Sequence, residues 1–494
     1  MPAAVHLHEL PPELLRLILT SFDSLPDLYS LIKASPECFR IYRITPELIL
    51  SSVLKRAIHP DALHHALAVT HVDPEEFMNP EGDERLWEFL DRYFQRDPTL
   101  LEFPKRMDDI VSLAKLKNMV SRLANDYTCR TLHALYESEK TQQDPHHREA
   151  PFSCHTACQK GLSATEQARL QRAFYRYELY SRCFPVSHRI PDESIFAADD
   201  QFNHFIQQMA PWEVEELSCL HEYFWVRVSR VFSEVEEEVV VKVLDAQTAT
   251  AASIRAAQLR QAEFRRLLKT NSIEVDDGVC PFRPSDIRGL ELFGEDDRSA
   301  LPDILRYLIS LGLPFLRSLL FSQGQRRRDL IRRNYFGERE FLPHAIYEDP
   351  NPPQTPNHPE NISDNDISHV NLGYLLFRPS SIEAVLSAMG IARYWPLRRL
   401  GYVFWDIERV RDPEVNEKLR NARDCDPTVA KKAFHEFIQE SAETRLKGMK
   451  LPRTLMQEIQ NDYTVIFADP IFETDFYSYS EITDSEEDFE EDDE

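Results

Sequence analysis

The sequence predicts a mainly α-helical protein: an N-terminal three-helix module, a large irregular helical body and a disordered acidic tail. Three observations carry this. Apolar residues recur every three or four positions across long windows, the period of one helix face. Proline, serine and aspartate start signals precede the main windows. Glycine is scarce, 12 among 494 residues, against a usual ~7%. Few glycines leave few left-handed turns and few backbone cradles for phosphate, which disfavours an α/β nucleotide binder. An apolar fraction of 42% suffices for a large core, and the length gives a prior of about three domains.

The elements follow in chain order. "PPELLRLILTSF" starts with proline in a first helical turn, where its missing N–H costs nothing. Leu14, Leu15, Ile18, Leu19 and Phe22 form one stripe. "LPDLYSLIKAS" repeats the pattern with Leu28, Leu31 and Ile32, and "PECFRIYRI" and "PELILSSVLKRAI" follow, each started by a proline. "SATEQARLQRAFYRYELYSRCF" opens on a capping box, Ser163 to Glu166, in which each end satisfies an orphan N–H of the other. Its apolar face carries Leu170, Phe174, Tyr177 and Tyr180. "PWEVEELSCLHEYFWVRVSRVFSEVEE" places acids in its first turn, in accord with the helix dipole, and Leu217, Leu220, Phe224, Val228, Val231 and Val235 recur along it. "DPTVAKKAFHEFIQESAETRLKG" runs from an Asp-Pro start to Gly448, with Phe434 and Phe437 on its apolar side. Strand signals are few, and "GYVFW", residues 401–405, is the best of them.

Composition sets the boundaries. The N-terminal module spans 5–55, the body 56–472 and the tail 473–494. Two polar, proline- or histidine-rich stretches, 138–152 and 348–367, read as flexible loops. The net charge is −26; twelve acidic and no basic residues from Glu473 to Glu494 leave −14 on the first 472 residues. Such acidity argues against a nucleic-acid partner, whose phosphates need Lys and Arg. No apolar run reaches the ~18 residues of a membrane span. "LRYLISLGLPFLRSLLF" comes closest, but Arg306 and Arg317 interrupt it and Gly312 and Pro314 break its pattern. Eight cysteines are scattered along the chain and no leader precedes it, so the expected setting is intracellular, cytoplasmic or nuclear.

Chemical motifs are sparse. Cys154, His155 and Cys158 cluster near His146 and His147, but no second Cys/His pair follows downstream, so no metal is expected. The glycine-rich nucleotide loops, the G-x-S-x-G elbow and H-E-x-x-H are all missing. Asp406 and Glu408 are a candidate carboxylate pair, with a solvated turn as the plainer reading. No cofactor and no catalytic residue is expected. "RRRDLIRR", residues 326–333, is the densest basic patch, suited to an anion or to a solvated helix face. In the tail, Thr483 and Ser485 precede acidic residues, the setting of an acidophilic kinase site.

The N-terminal stretch "LHELPPELLRLILTSFDSLPDLYSLIKASPECF" resembles the F-box. Leu10, Pro11, Glu13, Leu14, Ile18, Leu25, Pro26, Leu28 and Ala34-Ser35 match its pattern of two Leu-Pro helix entries and a small-residue junction. The family's third helix carries a basic pair and a tryptophan after its cysteine; here Phe39 and Tyr42 are the aromatics after Cys38. Further segments are similar to large uncharacterised fungal proteins that begin with an F-box-like region. The resemblance implies a three-helix module that docks the Skp-family adaptor of a cullin complex. Its contact residues would be Leu10, Pro11, Leu14, Ile18, Leu25, Pro26 and Leu28. The body would then capture a protein target for ubiquitin transfer, with no covalent chemistry on this chain, no nucleic acid and no membrane. Two rivals remain: a binding or structural protein whose bundle belongs to its own core, and an enzyme with an unrecognised site marked by converging polar groups of shifted pKa.

Overall fold

Four short helices, each with proline in its first turn, open the chain: α1 (Pro12–Ser21), α2 (Leu25–Ala34), α3 (Pro36–Ile44) and α4 (Pro46–Ala57). Ser24 caps α2 by accepting from the Asp27 N–H, and Ser35 caps α3 by accepting from the Cys38 N–H. Ser35 also donates its own N–H to Leu31 O, so one residue closes α2 and starts α3. The three expected helices are therefore present, and the fourth packs along α1. The computed structural model describes residues 10–77, 82–136, 161–185, 196–248, 280–282, 300–334, 341–342, 371–377, 395–425 and 449–451.

The body is built around one helix. α9 (Ala164–Cys183) starts at the capping box, with Ser163 accepting from Glu166 N–H and Glu166 accepting from Ser163 N–H. Between it and the N-terminal helices come α5 (Pro60–Thr70), α6 (Pro74–Phe77), α7 (Gly82–Phe94) and the 30-residue α8 (Met107–Tyr136). After it come α10 (Ala198–His204) and the 38-residue α11 (Pro211–Thr248). α5 lies along α9, tied by the His59 N–H donating to Gln171 Oε1 at 2.9 Å and Arg182 Nη1 donating to Val69 O at 3.2 Å. α8 and α11 pack on other sides of α9. Phe174, Tyr177, Phe224 and Val228 are all buried, as their spacing requires.

The apolar run 305–321 is split into α12 (Ala300–Ser310) and α13 (Gly312–Phe321). Gly312 at φ 85° supplies the left-handed residue between them, a conformation open to glycine at little cost. Glu178 of α9 accepts from the Leu313 N–H at 2.7 Å, so a buried carboxylate from a neighbouring helix satisfies an N-terminal donor of α13. α14 (Gly324–Arg333), α15 (Leu372–Phe377), α16 (Trp395–Arg399), α17 (Ile407–Val410) and α18 (Pro413–Arg423) complete the helical set. The molecule is mainly helical. Its one strand pair among the described residues is short, β1 (Cys280–Phe282) antiparallel to β2 (Met449–Leu451), with Pro281 opposite Lys450.

The strand expected at 401–405 is not formed. Gly401 is left-handed at φ 62° and Tyr402–Phe404 make a 3-10 turn. All five residues are buried, and a short continuous apolar run cannot distinguish a buried strand from a buried helical turn. A Cβ at Gly401 would stand 2.7 Å from Tyr127 Oη, so the corner needs glycine for space as well as for φ. The loops at 138–152 and 348–367, the Cys154–Cys158 cluster, Phe434, Phe437 and the tail 473–494 lie outside the described residues.

Candidate docking surface

Leu15, Leu19, Leu25, Leu28, Cys38, Ile41, Ile49, Val53 and Leu54 point inward from the N-terminal helices. A helix that buries one stripe turns its remaining residues outward, and here several of those are large and apolar. Leu14 and Leu17 on α1, Tyr29 on α2, Phe39 and Ile44 on α3, and Leu48 on α4 are 45–64% exposed. They are six of the eight exposed large apolar residues among the described residues. Single exposed leucines mean little; this concentration in 35 consecutive positions makes the stretch a candidate interaction surface. Basic side chains lie beside its rings, with Lys33 Nζ 4.4 Å from the Tyr29 centroid and the Arg43 guanidinium 5.9 Å from that of Phe39.

The residues expected on this face divide. Pro11, Leu14 and Pro26 are exposed, and Leu10 and Ile18 are half-buried. Leu25 and Leu28 retain only 9% and 2% exposure: they pack inward within the same core as Leu15 and Leu19 and cannot meet a partner without opening the bundle. Leu17, Tyr29, Phe39, Ile44 and Leu48 carry exposed surface instead. A helical wheel separates four of them from the buried stripes: Leu17 stands two beyond inward Leu15, Tyr29 follows inward Leu28, Phe39 follows inward Cys38 and Leu48 precedes inward Ile49, while Ile44 is the last residue of α3. Thr483 and Ser485 lie outside the described residues.

A second polar feature lies inside the body. Along α9, Arg169 pairs with Asp406 at 2.9 Å, Arg172 with Glu216 at 2.5 Å, Arg176 with Glu213 at 2.7 Å and Arg182 with Glu178 at 2.8 Å. Glu166 pairs with Arg409 at 2.7 Å, and Arg398 meets both carboxylate oxygens of Glu215 at 2.9 Å. Asp406 also accepts from the Ser163 and Thr165 hydroxyls, whereas Glu408 is exposed. The candidate carboxylate pair is thus divided between a polar contact at the start of α9 and solvent.

Beside Arg176, groups of shifted pKa do converge. The Tyr93 hydroxyl is 2.7 Å from His65 Nδ1, and the His64 ring stacks on Tyr93 at 4.9 Å. Burial, then Arg96 and Arg176, lowers His64 to about 4 and holds His65 well below its usual value. Burial pushes Tyr93 up to about 12, against the pull of Arg176. His65, Tyr93 and Arg176 are each under 7% exposed. The His65–Tyr93 contact joins α5 to α7, and the Arg176–Glu213 pair joins α9 to α11.

Among the described residues no group of His, Cys, Asp and Glu is placed to hold a metal ion, and no helix is long and apolar enough to cross a membrane. No family model, no curated protein and no solved structure matches the chain.

Proposed function

We propose that the chain is a substrate-recruiting adaptor of a Skp–cullin–F-box type ubiquitin ligase, working inside the cell in the cytoplasm or nucleus. Its N-terminal helices dock a Skp-family adaptor, and the helical body holds a protein target. The chain itself performs no covalent step. The observation that carries this reading is the concentration of exposed apolar residues in α1–α4, on the helices that resemble the F-box. The test is affinity purification of the tagged chain, with Skp and cullin subunits detected by mass spectrometry. Both should be recovered with the wild-type chain and lost with Leu10→Ala/Pro11→Ala. Recovery of neither from the wild-type chain would reject the reading.

One observation favours a second reading, a binding protein whose bundle serves its own core. The inward residues of α1–α4 join the same continuous apolar cluster as α5, α8, α9 and α11. Arg56 Nη1 also donates to Thr20 O at 2.6 Å, tying α4 back onto α1. Under this reading the exposed face contacts some other protein, and purification yields stable partners without Skp or cullin.

A further inference from the structure

We propose that the arginine face of α14 docks the chain's own acidic C-terminal segment, residues 473–494, and that phosphorylation of Thr483 and Ser485 tightens this contact. α14 is seated on the body through Leu330 and Ile331, which are buried. Among its other described side chains, Gln325 and Arg326 are exposed, and Arg327, Arg328 and Asp329 are half-buried. Asp329, the one acid of this helix, accepts from Gln325 Nε2 at 2.7 Å. Arg328 Nη2 donates to Gln325 Oε1 at 2.9 Å, and Arg327 is committed to Glu234 at 2.6 Å and Ser322 O at 2.8 Å. The helix therefore keeps its fold without an added anion while presenting a basic surface.

Charge complementarity selects the occupant. Residues 300–333 hold seven arginines and two aspartates within a chain of net charge −26, and the last 22 residues hold twelve acids and no base. These are the most basic and most acidic long stretches of the molecule. A free polyanion approaching α14 meets the repulsion of the whole acidic chain, whereas the tail is already attached. Forty-three residues follow Leu451, on the order of 140 Å of extended chain. That exceeds the ~23 Å radius of gyration of a compact chain of this length several-fold. A tether of this kind sets an effective concentration in the millimolar range. Individually weak exposed ion pairs then suffice in number. Each phosphate on Thr483 or Ser485 adds about −1.5 to −2 charges.

The test is titration of a chain lacking residues 473–494 with a fluorescently labelled peptide of that sequence. Binding should have a Kd on the order of 10 μM at 50 mM salt and weaken about tenfold or more at 500 mM, as screening shortens. Doubly phosphorylated peptide should bind more tightly. The full-length chain, its site already occupied at a millimolar effective concentration, should bind the peptide on the order of 100-fold more weakly. Arg326→Gln with Arg328→Gln should abolish binding. Peptide carrying Glu486→Gln, Glu487→Gln and Asp488→Asn should also fail, which tests the contact without altering the folded protein. Equal affinity of full-length and truncated chains, or binding indifferent to the arginine and peptide substitutions, would overturn the proposal. So would a truncated chain that takes up a DNA duplex and ignores the peptide.

Discussion

His64 and His65 are the residues at which acid should act first. Two neutral imidazoles sit against Arg96, Arg172 and Arg176, with the Tyr93 backbone giving His64 a weak opposing attraction. Their folded pKa values lie below the unfolded value of about 6.5, so between these limits the unfolded chain binds more protons. Stability therefore rises with pH across this window. It is complete above about 6.5 and, for His64, is lost as pH falls toward about 4. His64→Gln should flatten the melting temperature between pH 6.5 and 4.5 relative to wild type. An unchanged slope would show that the histidines do not couple to unfolding. Phe224 provides a second residue-scale prediction. It is fully buried, with ring centroids 5.0 Å from Tyr177 and Tyr223 and 6.1 Å from Phe174. Phe224→Ala should cost about 3–5 kcal/mol, read as a lower urea midpoint.

Among elements, α9 is held by charged pairs whose partners, apart from Glu178 within the helix itself, come from distant segments. The Arg172–Glu216 pair has Glu216 fully buried. Removing one partner of such a pair costs about 3–5 kcal/mol, while replacing both by apolar groups is often neutral. Arg172→Met should thus destabilise strongly, and Arg172→Met with Glu216→Leu should recover most of the loss in a double-mutant cycle. Additive losses would place the stabilisation outside the pair. The same helix shows what sequence reveals. Its start was legible because Ser163 and Glu166 are local, and its apolar stripe because helical period is local. Its ionic partners were not, because nothing in Arg172 points 44 residues along to Glu216, and nothing in Arg176 points 37 residues along to Glu213. The short buried run at 401–405 looks alike as a strand or a turn, and Gly401 decides between them through its left-handed φ and its close approach to Tyr127. On α2 the pattern placed Leu25 and Leu28 on a helix but not on a side, because a family contact position and a core position share the same spacing.

For the whole molecule, the N-terminal bundle and the body share one apolar core. α1–α4 are only 9–12 residues long, too short to be stable as isolated helices. Leu19→Ala in α1 and Phe224→Ala in α11 should lower one and the same thermal transition, whereas two separately shifting transitions would mean independent units. The exposed face of α1–α4 is mounted on that shared core, so its outer leucines, Leu14 and Leu17, can be changed without opening the bundle. We propose that this face meets a Skp-family adaptor. Calorimetric titration of the purified full-length chain with that adaptor tests it most directly, comparing wild type with Leu14→Ser/Leu17→Ser. Each exposed leucine, fully buried on docking, contributes about 1.5 kcal/mol, so the account predicts saturable wild-type binding weakened on the order of 100-fold in the variant, with an unchanged melting temperature. Equal affinities for the two chains, or no binding by the wild type, would contradict it.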